Sequence, residues 1–164
     1  MGNNQVKIYS VLVIGLTNAG KTHFLDMLTF GGDTTKSHTV GWYETAVVLD
    51  EHTTINLIET SSVHHIKPMQ YCAIYLIVPA DATFEQLQTS KNMLLHARQS
   101  NELICIIYNN RGGAVNFSFK ERNRLLQIQR GWAAIEVDFS DSNKWKNTVL
   151  RVLQWTVAHN NSAK

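Results

Sequence analysis

Gly15-Leu16-Thr17-Asn18-Ala19-Gly20-Lys21-Thr22 is a complete G-x-x-x-x-G-K-[ST] string. It follows directly on the apolar run Val11-Leu12-Val13-Ile14 and opens a helical pattern over 21–30. Strand, glycine-rich turn, helix is the context in which this string carries chemistry. The glycines let the backbone fold into a concavity of N–H groups, and the helix start adds positive potential. Gly15, Thr17, Asn18, Ala19, Gly20, Lys21 and Thr22 are therefore candidate phosphate-binding residues. Lys21 would reach the outer phosphates, and the Thr22 hydroxyl would ligate Mg²⁺. A glycine-rich turn of no chemical meaning would not also demand Lys and Thr.

Outward from this loop, apolar runs alternate with helical patterns. Candidate strands are 7–14, 43–49, 54–58, 74–78, 103–108 and 133–137; several are continuous Val/Ile/Leu runs, as expected of parallel strands buried on both faces. Only Asp50-Glu51-His52-Thr53 separates the second run from the third, too few residues for a crossover helix, so these two form an antiparallel edge hairpin. Helix candidates are 21–30, 83–99, 118–129 and 142–159. Ser118 with Glu121 reads as a capping box, and Trp145, Val149, Val152, Leu153, Thr156 and Val157 define one buried helix face. Gly31-Gly32-Asp33 and the Thr/Ser-rich run after it read as a loop. The fold expected is α/β: a six-stranded, mostly parallel sheet with one antiparallel edge hairpin and helices on both faces, in a single domain spanning 1–164.

Composition agrees with one core. The chain has 164 residues, 44% of them apolar and 17% charged, which excludes disorder and coiled coil. Fifteen basic and thirteen acidic residues give a net charge of +2, too little to mark a nucleic-acid partner. Cys72 and Cys105 lie in apolar runs outside any metal-ligand spacing, pointing to reduced, buried thiols and a cytoplasmic setting. No run reaches the length of a membrane span. Gly2 stands where an N-myristoylation signal begins, although Val6 occupies the position at which Ser or Thr is favoured; acylation would add peripheral membrane contact. With one chain and no clustered Lys/Arg nearby, that contact would be weak.

The motif wording resembles that of the ADP-ribosylation-factor (Arf) branch of Ras-like small GTPases. Gly15 to Thr22 is similar to that branch's G-L-D-N-A-G-K-T, with Thr17 in place of Asp. His38-Thr39-Val40-Gly41-Trp42-Tyr43-Glu44 resembles its P-T-I-G-F-N-V-E first switch, and Ile66-Lys67-Pro68-Met69 resembles the I-R-P-L that follows the second. The resemblance continues through Trp132 and the final helix. It implies the P-loop small-GTPase fold, Mg²⁺ with GTP or GDP, and two switch segments sensing the third phosphate. Thr22, Thr39 and Glu59 would be the metal-side residues, and Trp42 an effector contact. The branch's amphipathic N-terminal helix has no counterpart in the fourteen residues before Gly15.

Departures from the pattern fall where the chemistry lies. The D-x-x-G-Q element reads Glu59-Thr60-Ser61-Ser62-Val63. Glu59 keeps a carboxylate on a longer arm, Ser62 restricts the backbone, and Val63 has no polar atom to orient a water, so hydrolysis should be very slow or absent. His64 and His65 read as ordinary exposed histidines at the start of a short mobile segment. The N-K-x-D element reads Asn109-Asn110-Arg111-Gly112: the Lys has become Asn110, and the Asp that would accept two guanine donors has become Gly112. Phe139 brings a ring to the place of a small residue in the fifth motif. Asn109, Asn110, Gly112 and Phe139 thus form a degenerate base-binding set with little guanine selectivity.

Two functions follow as expectations. The first is an Arf-like pseudo-GTPase with no catalytic residue, a scaffold holding a protein partner through its switch and hairpin surfaces. The alternative is a working GTP-dependent switch in membrane or ciliary traffic. A P-loop enzyme acting on another nucleotide is disfavoured, because no second catalytic carboxylate or basic lid is evident.

Overall fold

The computed structural model describes residues 5–28, 34–39, 41–60, 62–99, 101–138 and 142–162, with the backbone alone for 27, 34–39, 142–145, 161 and 162. Seven strands form one sheet in the order β2-β3-β4-β1-β5-β6-β7. They are β1 (Lys7–Gly15), β2 (Thr34–Thr39), β3 (Trp42–Asp50), β4 (Thr53–Thr60), β5 (Ala73–Pro79), β6 (Leu103–Asn109) and β7 (Ala133–Val137). The helices are α1 (Lys21–Leu28), α2 (Phe84–Ala97), α3 (Phe119–Leu125) and α4 (Ser142–Ser162).

Strand β1 lies inside the sheet, parallel to β4 on one side and β5 on the other. Its alternate residues feed two cores, as a period of two requires. Val11 and Val13 pack with Phe24 and Leu25 of α1 and with Val149, Val152 and Leu153 of α4. Leu12 and Ile14 pack with Leu87 and Leu94 of α2 and with Leu126 just after α3. Helices therefore cover both faces, and of the expected α4 stripe Val149, Val152, Leu153 and Thr156 are buried and Val157 partly so, while the Trp145 side chain lies outside the described residues. Within it, Thr156 meets its hydrogen-bonding needs at the Tyr75 hydroxyl (2.5 Å) and the Val152 carbonyl (2.9 Å).

The six expected strands are all present, and the sheet gains a seventh. The run 34–39, read as loop, pairs antiparallel with β3 from Thr34↔Val47 to Thr39↔Trp42. It has no apolar alternation to announce a strand. Its backbone needs only the open edge of β3, and a polar sequence suits an edge. The sheet consequently has two antiparallel pairs, β2–β3 and β3–β4, where one hairpin was expected. The β3–β4 turn is tightened by the His52 N–H donating to Asp50 Oδ1 at 2.8 Å.

Two helix ends also differ. The full capping box belongs to α2, where Thr83 and Gln86 exchange side-chain and backbone hydrogen bonds. Before α3, Ser118 accepts from the Glu121 N–H at 3.1 Å, which is the N-cap half of the box. That helix stops at Leu125 instead of continuing to 129. Gln127 turns left-handed at φ 55°, and the Ile128 and Gln127 N–H groups close back on the Asn123 and Arg124 carbonyls, a helix-ending motif that glycine usually marks.

The parallel strands β1, β4, β5, β6 and β7 deliver their C-terminal ends to one edge of the sheet. The chain leaving β1 enters α1 on one face, and the chain leaving β5 enters α2 on the other. A crevice opens where neighbouring strands part in this way, and such crevices are where α/β sheets bind ligands. Among the described residues, no helix is long and apolar enough to cross a membrane.

Candidate functional site

The glycine loop leaves β1 at Gly15 under tight constraint. A Cβ at this position would sit 2.5 Å from the Ile77 carbonyl oxygen of β5, so only glycine lets the two strands run this close. The Ala19 N–H then closes on the Leu16 carbonyl (3.0 Å), with Ala19 itself buried. Gly20 adopts φ 101°, a left-handed value that suits glycine immediately before α1. The turn delivers Lys21 and Thr22 as the first two residues of the helix.

Lys21 folds back over the loop, its Nζ donating to the carbonyls of Gly15 (2.7 Å) and Leu16 (2.9 Å). Burial pulls its pKa below the ordinary lysine value, and the nearby Glu59 carboxylate raises it again without cancelling the effect. The ammonium is thus held in place but incompletely compensated, a state that an arriving anion would relieve.

Thr22 Oγ1 donates to Glu59 Oε1 at 2.9 Å, joining the start of α1 to the end of β4. A hydroxyl and a carboxylate side by side are hard oxygen donors of the kind Mg²⁺ takes alongside phosphate oxygens and water, so this pair fits the cation. The structure places Thr39 at the end of β2, paired with Trp42, with its side chain outside the described residues. Among the described residues there is no cluster of three or more His, Cys, Asp or Glu able to hold a metal unaided.

These groups surround a cavity of about 400 Å³. Gly20, Lys21, Thr22, His23 and Glu59 line it together with Thr17, Asn18 and Arg111. All the candidate phosphate residues except Gly15 and Ala19 face this space, and those two shape the backbone beneath it.

The loop after β6 meets the glycine loop from the other side. Asn109 is buried and donates from Nδ2 to the Ala19 carbonyl at 3.1 Å, so it braces the loop. Asn110 turns inward, its Oδ1 accepting the Gly112 N–H at 2.8 Å. Gly112 sits at φ 81°, with open space where a Cβ would go. A side chain there would meet no atom, only an unfavourable backbone conformation. Phe139 and Gly2 lie outside the described residues.

Arg111 was not singled out from the sequence, and it matters here. Its guanidinium donates to the Asn18 carbonyl, which brings a positive charge to the lining of the cavity. The signal was one position away from the expected lysine: the strand-end loop keeps a cation, but the residue after Asn110 carries it.

Ser62 caps a 3-10 turn over Val63–His65, accepting the His64 N–H at 3.2 Å. The His64 ring packs edge-on against His96 of α2 at 5.5 Å, and neither His64 nor His65 lines the cavity. Lys67 pairs with Glu44 and lies 5.9 Å from the Trp42 ring centre, which ties the expected post-switch segment to β3.

The two thiols are chemically quiet. Burial pushes Cys72 up to about 11 and Cys105 up to about 12, so neither is a thiolate at neutral pH. No protein-family model matches this chain, and no curated protein matches it at a significant level.

Proposed function

We propose that this chain is an Arf-like protein of the small-GTPase fold that binds phosphate-bearing ligand but neither hydrolyses GTP at a useful rate nor selects guanine, and that serves as a protein-interaction module. The observation that carries this reading is the contrast between two neighbouring loops. The Gly15–Thr22 cradle is complete, with Lys21 poised on its carbonyls and Thr22 beside Glu59. The loop after β6 keeps the bracing Asn109 but has Gly112 where a base-accepting carboxylate would stand.

Binding in this reading draws on three contributions: the inward N–H groups of the loop, the Lys21 charge, and Mg²⁺ held by Thr22 and Glu59 with the phosphates. Mg²⁺ would neutralise phosphate charge. The Val63 side chain offers no hydrogen-bonding atom to an attacking water; the His64 ring packs on His96 of α2, and neither His64 nor His65 lines the cavity.

A surface for a protein partner is supported by the sheet itself. Ile8 and Val48 both pair with Thr54, so the three form a row on one face, and Ile8 is 67% and Val48 47% exposed. Apolar strand residues left this open suit a contact with another protein. The proposed setting is cytoplasmic, with Gly2 acylation as a route to weak membrane contact and no nucleic-acid role.

Calorimetric titration with Mg²⁺-GTP and Mg²⁺-ATP tests the reading. Both should bind, with affinities within about 1.4 kcal/mol, or tenfold, of each other. A hundredfold preference for GTP would show that the base pocket has been rebuilt from other residues. Absence of any nucleotide heat would remove the phosphate reading.

A further inference from the structure

The bond from the Arg111 guanidinium to the Asn18 carbonyl crosses one end of the cradle. On its near side is the cavity of about 400 Å³ that holds Lys21, Thr22 and Glu59. On its far side is another, of about 470 Å³, between Leu16, Pro79, Asp81 and Gln86. Thr17, Asn18 and Arg111 line both, so these three residues are the wall between them. The wall joins the glycine loop to the loop after β6, two stretches of chain that one side-chain bond draws together.

The two sides differ in chemistry. The near side presents the Lys21 ammonium, and Arg111 adds a second cation. The bond to Asn18 uses Nη2 alone, whereas a guanidinium carries five N–H donors in a planar fork that matches phosphate oxygens. The far side presents the Asp81 carboxylate, whose Oδ2 lies 3.7 Å from where a Cβ on Gly113 would be. A carboxylate there repels phosphate. The loop after β6 has turned inward as well: Asn109 Nδ2 donates to the Ala19 carbonyl, Asn110 Oδ1 accepts the Gly112 N–H, and Gly112 carries no side chain. A phosphate chain laid from the Thr22–Glu59 pair past Lys21 toward Asn18 therefore meets a cation at each stage and ends at the wall. A nucleoside carried on that end has to break the Arg111–Asn18 bond, and no carboxylate at Gly112 repays the loss.

We propose that the cradle is a site for a linear oligophosphate without a nucleoside, and that Arg111 is the residue that sets this preference, by closing the cradle on Asn18 and by offering its remaining donors to the terminal phosphate; this rests on the phosphate-binding reading above.

Calorimetry in Mg²⁺ buffer with methyl triphosphate, GTP and ATP tests it. Methyl triphosphate carries the same ester linkage and the same charge as the nucleotides, so the comparison isolates the nucleoside. It should bind the wild-type protein about tenfold more tightly than either nucleotide, the scale of one hydrogen bond to a charged group. Arg111→Ala should bring the three ligands to within about threefold of one another, because the bond that excludes the nucleoside is gone. Arg111 is exposed, so the fold should tolerate the change, and the wild-type comparison requires no mutation at all. GTP or ATP binding as tightly as methyl triphosphate overturns this inference and leaves the phosphate reading standing. A tenfold difference that survives Arg111→Ala overturns the role given to Arg111. Failure of the wild-type protein to bind methyl triphosphate overturns the phosphate reading and this inference with it.

Discussion

Replacing Lys21 with Ala is expected to reduce binding of Mg²⁺-GTP or tripolyphosphate by roughly a hundredfold or more, since charge-assisted hydrogen bonds contribute about 1.5–3 kcal/mol each and the ammonium can make more than one. The loop N–H groups supply dipoles, not a mobile full charge, so they cannot replace it. Stability should change little. Among the described residues Lys21 Nζ bonds the Gly15 and Leu16 carbonyls, and burial already disfavours its charged form. Calorimetric titration read beside a thermal melt separates the two effects. Unfolding of the unliganded variant would make Lys21 a structural group, and retained binding would mean that the cradle works without it.

Gly15→Ala should act in the opposite way, on the fold first. The new methyl would meet the Ile77 carbonyl oxygen at 2.5 Å, and because both partners are backbone, no side-chain rotation can relieve the clash. Strands β1 and β5 must separate or the loop must tilt. Overpacking of this kind costs about 1–3 kcal/mol, and in a chain of this size each kcal/mol lowers Tm by roughly 2–4 °C. Phosphate binding should fall as well, because the same residue begins the cradle. Gly112→Ala is the comparison: its methyl meets open space, and its φ of 81° imposes only a local backbone cost of about 1–2 kcal/mol. An unchanged melting temperature for Gly15→Ala would contradict the close approach of β1 and β5.

The sheet was legible wherever burial dictated sequence. Strands covered on both faces need unbroken apolar runs, and β1, β5 and β6 advertise themselves by them. Strand β2 was not legible, because Thr34-Thr35-Lys36-Ser37-His38-Thr39 buries no apolar stripe and is held by backbone pairing with a partner already in place. The end of α3 escaped notice for a related reason: Gln127 takes a conformation that glycine normally signals.

The geometry of the glycine loop was readable because its residues are consecutive and of particular types at fixed spacing. The loop after β6 was readable in part. Asn109 sits where expected, but Arg111 reaches the cavity from the neighbouring position, and only three-dimensional proximity shows that its guanidinium meets Asn18.

A cradle that holds a triphosphate without cleaving it is tested by single-turnover hydrolysis, with protein in excess over Mg²⁺-GTP labelled at the terminal phosphate and inorganic phosphate followed over hours. Val63 carries no polar atom, and His64 packs against His96 outside the cavity, so GTP should bind and release of phosphate should stay at the rate of buffer alone. Turnover at a rate ordinary for small GTPases, abolished by His64→Ala, would contradict the account by showing that an imidazole swings in to replace the water-orienting group.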